Sequence, residues 1–197
     1  MNTPKSREEH ENKIAHKHSF IEYKKNMRKF IMTSRFNNIT WNENSQYRNQ
    51  DKTSNIGCIY CAPTPIGKHI PVDSILFVLE MNNDQNKIMG IGLVKNHYIT
   101  GKHRVYGNGN YNRYIYVGKY RIDRKDMSVE EDKIMQAFDI LCFTGNSHMK
   151  RGQGLKSFPA ETLYKIHSVI DLIEFISEMF KKRINESKKE ALTNKSK

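Results

Sequence analysis

The sequence predicts an α/β protein, in which a mainly β middle section is flanked by helices. Two apolar runs rich in β-forming residues, "DSILFVLEM" and "KIMGIGLVKN", surround the turn-forming cluster "NNDQN" and predict a β-hairpin. Ser128 and Glu131 have the spacing of a capping box and precede an apolar stripe at helical spacing. A second such stripe follows Pro159, so the C-terminal part of the chain is predicted to be helical.

The N-terminal section, from about Lys5 to Ser34, is polar, charged and free of glycine. Ser6 and Glu9 have the spacing of another capping box. Four apolar side chains recur at helical spacing and can cover one helix face: Phe20, Tyr23, Met27 and Phe30. We therefore predict that residues 1–34 form a basic helical extension, which either docks on the domain or contacts a partner protein.

The middle section contains further strand-like runs. "IGCIYCA" and "RYIYVGKYRI" are rich in β-branched and aromatic residues and predict strands, whereas "YGNGNYN" predicts a loop. Gly90 and Gly92 interrupt the second hairpin strand, which indicates a bulge or a close approach of another group to the backbone.

The C-terminal section opens with "TGNSHMKRGQGLKSFP", which predicts a basic, glycine-containing loop before the helix. The apolar signal of the helix continues to Phe180 and fades from Lys181 onward. We therefore predict one domain over residues 35–182, closed by this helix, and a disordered basic tail over residues 183–197.

Charge is the strongest global feature of the chain. The 197 residues carry 33 Lys and Arg against 21 Asp and Glu, a net charge of +12 with a pI near 9.5, and the mean hydropathy is −0.75. This balance favours a polyanionic partner, with basic tails that serve solubility alone as the alternative. The asparagine- and lysine-rich composition also indicates an AT-rich genome, as in large DNA viruses or protists.

Nothing in the sequence predicts a membrane or secreted protein. No apolar run approaches the ~20 residues needed to cross a bilayer, and "MNTPKSREEHENK" has no apolar signal-peptide core. The three cysteines are odd in number and lack a disulfide framework spacing. We expect an intracellular protein with free thiols.

Metal, nucleotide and catalytic sites have weak support. Cys58 and Cys61 have a zinc-like spacing, but the residues between them are strand formers, and side chains three apart on a strand point to opposite faces. The string "GNGNYNR" lacks the spacing of a phosphate loop and precedes a strand rather than a helix. We expect no metal, no cofactor and no enzymatic activity.

A mixed basic and aromatic population remains, and it is typical of single-stranded nucleic-acid binding. Arginine neutralises phosphate, while aromatic faces and guanidinium planes hold unpaired bases. The basic members are Arg35, Arg48, Arg104, Arg113, Arg121, Arg124, Lys150 and Arg151. The aromatic members are Trp41, Tyr47, Tyr106, Tyr111, Tyr114 and Tyr116. For the strand residues Tyr114 and Tyr116, burial in the core is the alternative interpretation.

The order of these elements resembles the PUA-like superfamily, and within it the YTH and EVE domains. The resemblance covers about Arg35 to Lys182 and is carried by "TWNENSQYR", the hairpin, "RYIYVGKYRI", "KRGQGL" and the closing helix. YTH domains are compact β-barrels flanked by helices that bind RNA carrying N6-methyladenosine, and EVE domains are thought to recognise modified bases. The resemblance implies a barrel here, Trp41 as a wall of the base cage, and Arg151 and Gln153 as backbone contacts. YTH cages usually contain two or three aromatic walls, commonly with more tryptophan, whereas Trp41 is the only tryptophan of this chain.

The resulting hypothesis is a non-enzymatic reader that binds nucleic acid, RNA in preference to DNA, and holds an unpaired base in an aromatic pocket, with or without an N6-methyl group. The expected base pocket consists of Trp41, Asn42, Tyr47, Tyr114 and Tyr116. The expected phosphate and backbone contacts are Arg48, Arg104, Arg113, Lys150, Arg151 and Gln153. Two alternatives stay open: a packaging or virion structural protein that coats nucleic acid through charge alone, and an enzyme that modifies nucleic acid.

Overall fold

The computed structural model describes residues 4–50 and 55–193, and within them the α/β prediction is confirmed. The helices are α1 (Pro4–Asn26), α2 (Asn38–Gln50), α3 (Val129–Phe143), α4 (Ala160–His167) and α5 (Leu172–Thr193). The strands are β1 (Lys29–Phe36), β2 (Cys58–Ala62), β3 (Ile75–Asn82), β4 (Lys87–Lys95), β5 (Tyr114–Gly118), β6 (Tyr120–Asp123) and β7 (Lys156–Ser157).

The described strands form two sheets. The larger has five strands in the order β6-β4-β3-β1-β7, and the smaller pairs β2 with β5. β1 runs parallel to β3, and the other neighbours are antiparallel. The predicted β3–β4 hairpin is confirmed, and so is the bulge in β4, where Met89 and Gly90 together lie opposite Glu80.

The larger sheet is the middle layer of the molecule. Along β1 and β3, alternate side chains enter two different apolar clusters, as the strand period of two requires. Ile31 and Phe77 pack with residues of α3 and α5, whereas Met32 and Val78 pack with β2 and β5. Because both faces are covered, these two strands are almost continuously buried.

The expected closed barrel is wrong for the described residues, because "RYIYVGKYRI" does not continue as one strand. It divides at Lys119 into β5, which pairs with β2, and β6, which pairs with β4. Gly118 allows the chain to pass close to β4 at this point, since a Cβ there would lie 2.0 Å from the Leu93 carbonyl oxygen. The outcome is an open mixed sheet with a smaller sheet against it.

The prediction of helix through Ser34 is also wrong. α1 ends at Asn26, and Phe30 belongs to β1 rather than to a helix face. β1 is a strand buried on both faces, which lacks the apolar–polar alternation of an ordinary amphipathic strand. The N-terminal extension therefore ends before Lys29, while the proposed Ser6–Glu9 capping box lies outside the described side chains.

The rest of the predicted N-terminal helix face docks on the domain. The rings of Phe20 and Tyr23 lie 5.3 and 5.4 Å from the Tyr164 ring of α4, measured between centroids. Met27 packs against the cluster that contains α3 and α5. Of the two alternatives for this helix, docking is therefore observed.

The C-terminal helix and tail differ from prediction in two ways. The expected single helix is interrupted after His167 and resumes at Leu172. The disordered tail is wrong for residues 183–193, because α5 continues to Thr193. Arg183 stabilises this extension through an ion pair of 2.6 Å with Glu131, and residues 194–197 lie outside the described part of the chain.

Candidate functional site

A cleft of about 380 Å³ opens at the carboxyl end of β1. Its lining comes from residues 34–37, from Thr40 and Glu43 of α2, from the 106–111 loop and from residues 152–154. Asn83 of the hairpin turn and Cys61 complete the wall. Ligands of open α/β sheets commonly bind outside the carboxyl ends of parallel strands, which is where this cleft lies.

The parallel pairing of β1 and β3 brings the polar groups of the cleft together. Phe36 lies opposite Asn82 in the register, and the backbone N–H of Asn83 donates to the Phe36 carbonyl over 2.7 Å. On the other side of β1, the Asn37 side-chain oxygen accepts from the backbone N–H of Thr40 over 2.8 Å. This cap starts α2 at the rim of the cleft.

Arg35 and Asn83 both hold the loop that follows α3 and both keep one polar atom unused. Arg35 Nε donates to the Met149 carbonyl, and Asn83 Nδ2 donates to the Lys150 carbonyl over 3.0 Å. Arg35 Nη1 and Asn83 Oδ1 are buried and have no hydrogen-bond partner among the described residues. Burial also lowers the pKa of the Arg35 guanidinium, which remains a cation because its ordinary pKa exceeds 12. A buried donor and a buried acceptor without partners are costly unless a ligand or water satisfies them.

The 106–112 loop supplies an aromatic wall that is held rigidly. The Asn112 side chain accepts from the backbone N–H groups of Val105 and Tyr106, both at 3.1 Å, and donates to the Tyr106 carbonyl over 2.7 Å. The Tyr106 hydroxyl accepts from the Asn44 amide over 3.1 Å, and the Tyr111 ring meets the Tyr106 ring edge-on. Burial raises the pKa of the Tyr106 hydroxyl, which therefore stays neutral.

Glu43 adds a carboxylate to the lining. Its Oε1 accepts from the backbone N–H of Gly107 over 3.1 Å, which ties α2 to the aromatic loop. A Cβ at position 107 would lie 3.3 Å from that oxygen, so a larger residue there would press on the carboxylate. The cleft thus contains a cationic donor, an amide acceptor, a carboxylate and aromatic rings.

The residues that the sequence predicted for the base pocket lie elsewhere. The Trp41 ring is half-buried, meets Phe36 edge-on at 5.4 Å between centroids, and has the guanidinium carbons of Arg48 and Arg121 over it at 5.7 and 5.6 Å. These contacts assign Trp41 a packing role beside the cleft, whose lining includes Phe36 but not Trp41. The neighbouring Asn42 is exposed and also outside the lining.

The three predicted tyrosines do not meet at one site either. Tyr47 places its hydroxyl 2.6 Å from His103 Nδ1, and Tyr114 is half-buried beside Tyr98. Tyr116 is fully buried outside the lining of the cleft, and its hydroxyl accepts from the Ile66 backbone N–H over 3.0 Å. Core burial, the alternative interpretation, holds for Tyr116.

The predicted phosphate contacts lie in three different places. Gln153 lines the cleft, and Lys150 and Arg151 belong to the same loop, with Arg151 exposed. Arg48 makes a hydrogen bond within its own helix α2, where its Nε donates to the Asn44 side-chain oxygen over 2.9 Å. The remaining two, Arg104 and Arg113, are exposed in the segments before and after the aromatic loop.

The two cysteines with a zinc-like spacing both lie on one buried strand. Cys58 and Cys61 are buried on β2, and burial raises the pKa of each thiol to about 12. Across residues 4–50 and 55–193, no group of three or more His, Cys, Asp or Glu side chains is arranged to hold a metal ion. Over the same ranges, no helix combines the length and apolarity required to span a membrane.

Comparisons with protein-family models, with curated proteins and with solved structures find no match to this chain. No relative therefore assigns a ligand to the cleft, and its chemistry rests on its own residues.

Proposed function

We propose that the protein binds single-stranded nucleic acid, RNA in preference to DNA, and holds one unpaired base in the cleft. The observation that carries the proposal is that Arg35 and Asn83, which line a cleft with an aromatic wall, each have a buried polar atom without a partner among the described residues. The edge of a nucleobase presents hydrogen-bond acceptors and donors side by side, and its faces are apolar. One planar ligand of this kind satisfies both atoms and covers the rings.

Aromatic contact is the first source of affinity in this proposal. Tyr106 and Tyr111 line the cleft together with Phe36. Stacking of a base on an aromatic side chain contributes about 1–3 kcal/mol, and it tolerates any base because every base has a π face. The hydrogen bonds to Arg35 and Asn83 then distinguish one base from another.

Phosphate contact is the second source of affinity. The 150–154 loop carries Lys150 and the exposed Arg151 at the rim of the cleft, and Gly152 and Gly154 hold positive φ angles of 114° and 63°. Glycine adopts such positive angles without the steric cost that a side chain would add. The net charge of +12 favours a polyanion over a neutral ligand.

The resemblance to YTH and EVE domains supports the same proposal. A PUA-like relationship would place an unpaired base beside the elements that carry the resemblance. The open sheet differs from the barrel that the resemblance implies. The preference for RNA rests on this resemblance. N6-methyladenine, which the YTH resemblance implies, is one candidate occupant of the cleft.

A matched pair of tyrosine variants tests the use of the cleft. Tyr111→Ala removes an aromatic wall, and Tyr98→Ala removes an exposed tyrosine outside the cleft. Titration of short single-stranded RNA, followed by fluorescence anisotropy, should show about tenfold weaker binding for Tyr111→Ala. Tyr98→Ala should bind like the unmodified protein. Equal affinities for the two variants would contradict base binding in the cleft.

A second pair of variants tests the phosphate contact. Arg151→Ala should lower the slope of log affinity against log salt by about 0.7, as expected for the loss of one contact to single-stranded nucleic acid. Lys188→Ala removes one charge from an exposed position of α5, outside the cleft, and should leave the slope unchanged. If both variants reduce binding equally and Tyr111→Ala has no effect, charge alone drives binding, and the packaging alternative applies.

A further inference from the structure

Three side chains in the lining of the cleft, those of Arg35, Asn83 and Glu43, have hydrogen-bonding capacity that the described residues leave unused. Arg35 Nη1 is a buried donor, and Asn83 Oδ1 is a buried acceptor; neither has a partner among the described residues. Glu43 adds a carboxylate whose Oε1 accepts a single backbone N–H, that of Gly107. A carboxylate offers about four acceptor sites, so most of its capacity is open to a ligand.

Hydrogen bonds to the backbone fix the orientation of the Asn83 amide and of the Arg35 guanidinium. Asn83 Nδ2 donates to the Lys150 carbonyl, which turns its oxygen toward the unpartnered position and fixes the amide orientation. Arg35 Nε donates to the Met149 carbonyl, so the guanidinium cannot swing away to solvent without breaking this bond. A Cβ on Gly152 would lie 3.9 Å from Arg35 Nη1, which places that atom directly under the basic loop.

We propose that the base held in the cleft is guanine, with Arg35 donating to O6 and with Asn83 and Glu43 accepting from the N1–H and N2–H groups. This inference rests on the proposed function and names its ligand more closely. The Watson–Crick edge of guanine presents one acceptor followed by two donors, which complements one cationic donor and two acceptors. Guanine O6 is also one of the two acceptors, with N7, in the commonest specific contact that arginine makes to a base.

The other bases leave at least one of these groups unsatisfied. Adenine, with or without an N6-methyl group, presents one donor group and a ring nitrogen, so one of the two acceptors, Asn83 or Glu43, has no partner. Cytosine and uracil present carbonyl oxygens, which a carboxylate repels. A site built to hydrogen-bond one group rejects an analogue that lacks it, because the buried polar atom is then left unpaired.

The experiment compares short single-stranded RNA oligonucleotides that differ only in one central base: guanine, hypoxanthine, adenine, N6-methyladenine, cytosine or uracil. Hypoxanthine keeps O6 and N1–H of guanine and lacks the N2 amino group. With the unmodified protein, affinity should fall by at least about tenfold from guanine to adenine, with hypoxanthine between them. This series needs no variant, so it does not depend on the folding of an altered chain.

A carboxamide substitution assigns the role of Glu43. Glu43→Gln replaces an acceptor oxygen by an amide donor and should reduce the preference for guanine over adenine by about tenfold. Glu22→Gln makes the same chemical change at an exposed position of α1, outside the cleft, and should leave the preference unchanged.

The outcomes separate this inference from the proposed function. Equal binding of all the oligonucleotides, or tightest binding of N6-methyladenine, would overturn guanine recognition and leave base binding in place. A guanine preference that Glu22→Gln reduces as much as Glu43→Gln would overturn the assigned contacts. No binding of any oligonucleotide would overturn the proposed function itself.

Discussion

Gly92 is the position where a single added methyl group should do most damage to the fold. It lies on β4 between Val78 of β3 and Arg121 of β6, and it is buried. A Cβ at this position would lie 1.9 Å from the Tyr60 hydroxyl oxygen and 2.8 Å from Cys58 Sγ. Gly92→Ala therefore forces the Tyr60 side chain to move in a core where it is fully buried.

The cost follows from two effects at Tyr60. Overpacking of a filled core costs about 1–3 kcal/mol. The Tyr60 hydroxyl donates to Glu80 Oε1 over 2.7 Å, and displacing it leaves a buried carboxylate with one bond fewer, at a further cost of about 1–3 kcal/mol. Burial raises the pKa of Tyr60 well above its ordinary value, so the hydroxyl remains a donor throughout the measurement. We expect Gly92→Ala to lower the free energy of unfolding by about 3 kcal/mol, a large share of the typical 5–15 kcal/mol.

Urea unfolding followed by Trp41 fluorescence measures this loss. Gly109→Ala is the matched control, because a Cβ there has no atom within 4 Å, and it should change the stability by less than about 0.5 kcal/mol. Tyr60→Phe removes the oxygen that makes the closest contact, so Gly92→Ala should cost at least about 1 kcal/mol less in that background. A cost of Gly92→Ala below about 0.5 kcal/mol, or the same cost in both backgrounds, would refute the reasoning.

Two further predictions concern tertiary contacts of Glu131 and Trp41 that the sequence did not indicate. The Arg183 guanidinium holds the pKa of Glu131 in the folded protein below its usual range. The pair therefore stabilises the fold at pH values above the unfolded pKa of about 4.3. This stabilisation is lost as the pH falls through the lower pKa that Glu131 has in the folded protein. Glu131→Gln should therefore be less stable than the unmodified protein by about 1–3 kcal/mol at neutral pH. The difference in unfolding free energy, measured by urea unfolding, should narrow below about pH 4. A difference that does not depend on pH would mean that the charge of the pair adds no stabilisation. Trp41→Ala should lower the unfolding free energy by about 2 kcal/mol, measured by circular dichroism, because the ring packs on Phe36 and under two guanidinium groups. Unchanged stability with weakened RNA binding would instead restore Trp41 as a base platform.

Local signals in the sequence predicted the elements that depend on neighbouring residues. The hairpin follows from two apolar runs around a turn cluster, and the Ser128–Glu131 capping box is present with both of its hydrogen bonds. β1 could not be read in the same way, because its burial on both faces removes the alternation, and Phe30 continues a helical spacing by coincidence. The division of the aromatic strand at Lys119 depends on the approach of Gly118 to Leu93, a tertiary contact with no local signature.

Of the candidate site, only the loop with a distinctive local composition could be predicted from the sequence. The "KRGQG" loop is basic and glycine-rich, and its Gln153 lines the cleft. Arg35 and Asn83 are far apart in sequence and meet because β1 and β3 pair in parallel, which no short motif records. The packing of Trp41 was not predictable, because the polar segment around it forms a helix whose Arg48, together with distant Arg121, lies over the ring.

A substitution of Arg35 can distinguish a role in ligand binding from a role in the stability of the fold. Its guanidinium gains one hydrogen bond to the Met149 carbonyl, but it is desolvated and has a buried Nη1 without a partner among the described residues. A hydrogen bond from a charged group contributes about 1.5–3 kcal/mol, and an unpaired buried donor costs about 1–3 kcal/mol, so the two nearly cancel in the unliganded protein. Arg35→Met keeps an unbranched apolar chain as far as the Nε position and removes the hydrogen-bonding groups. It should therefore change the unfolding free energy by no more than about 1 kcal/mol while it weakens RNA binding by at least about tenfold. If Arg35→Met instead destabilises the fold by more than about 2 kcal/mol and RNA still binds normally, the arginine holds the loop for the sake of the fold and the cleft is not its binding site. A residue that contributes little to the stability of the unliganded protein and much to that of the complex acts in ligand binding, because only the ligand completes its hydrogen bonds.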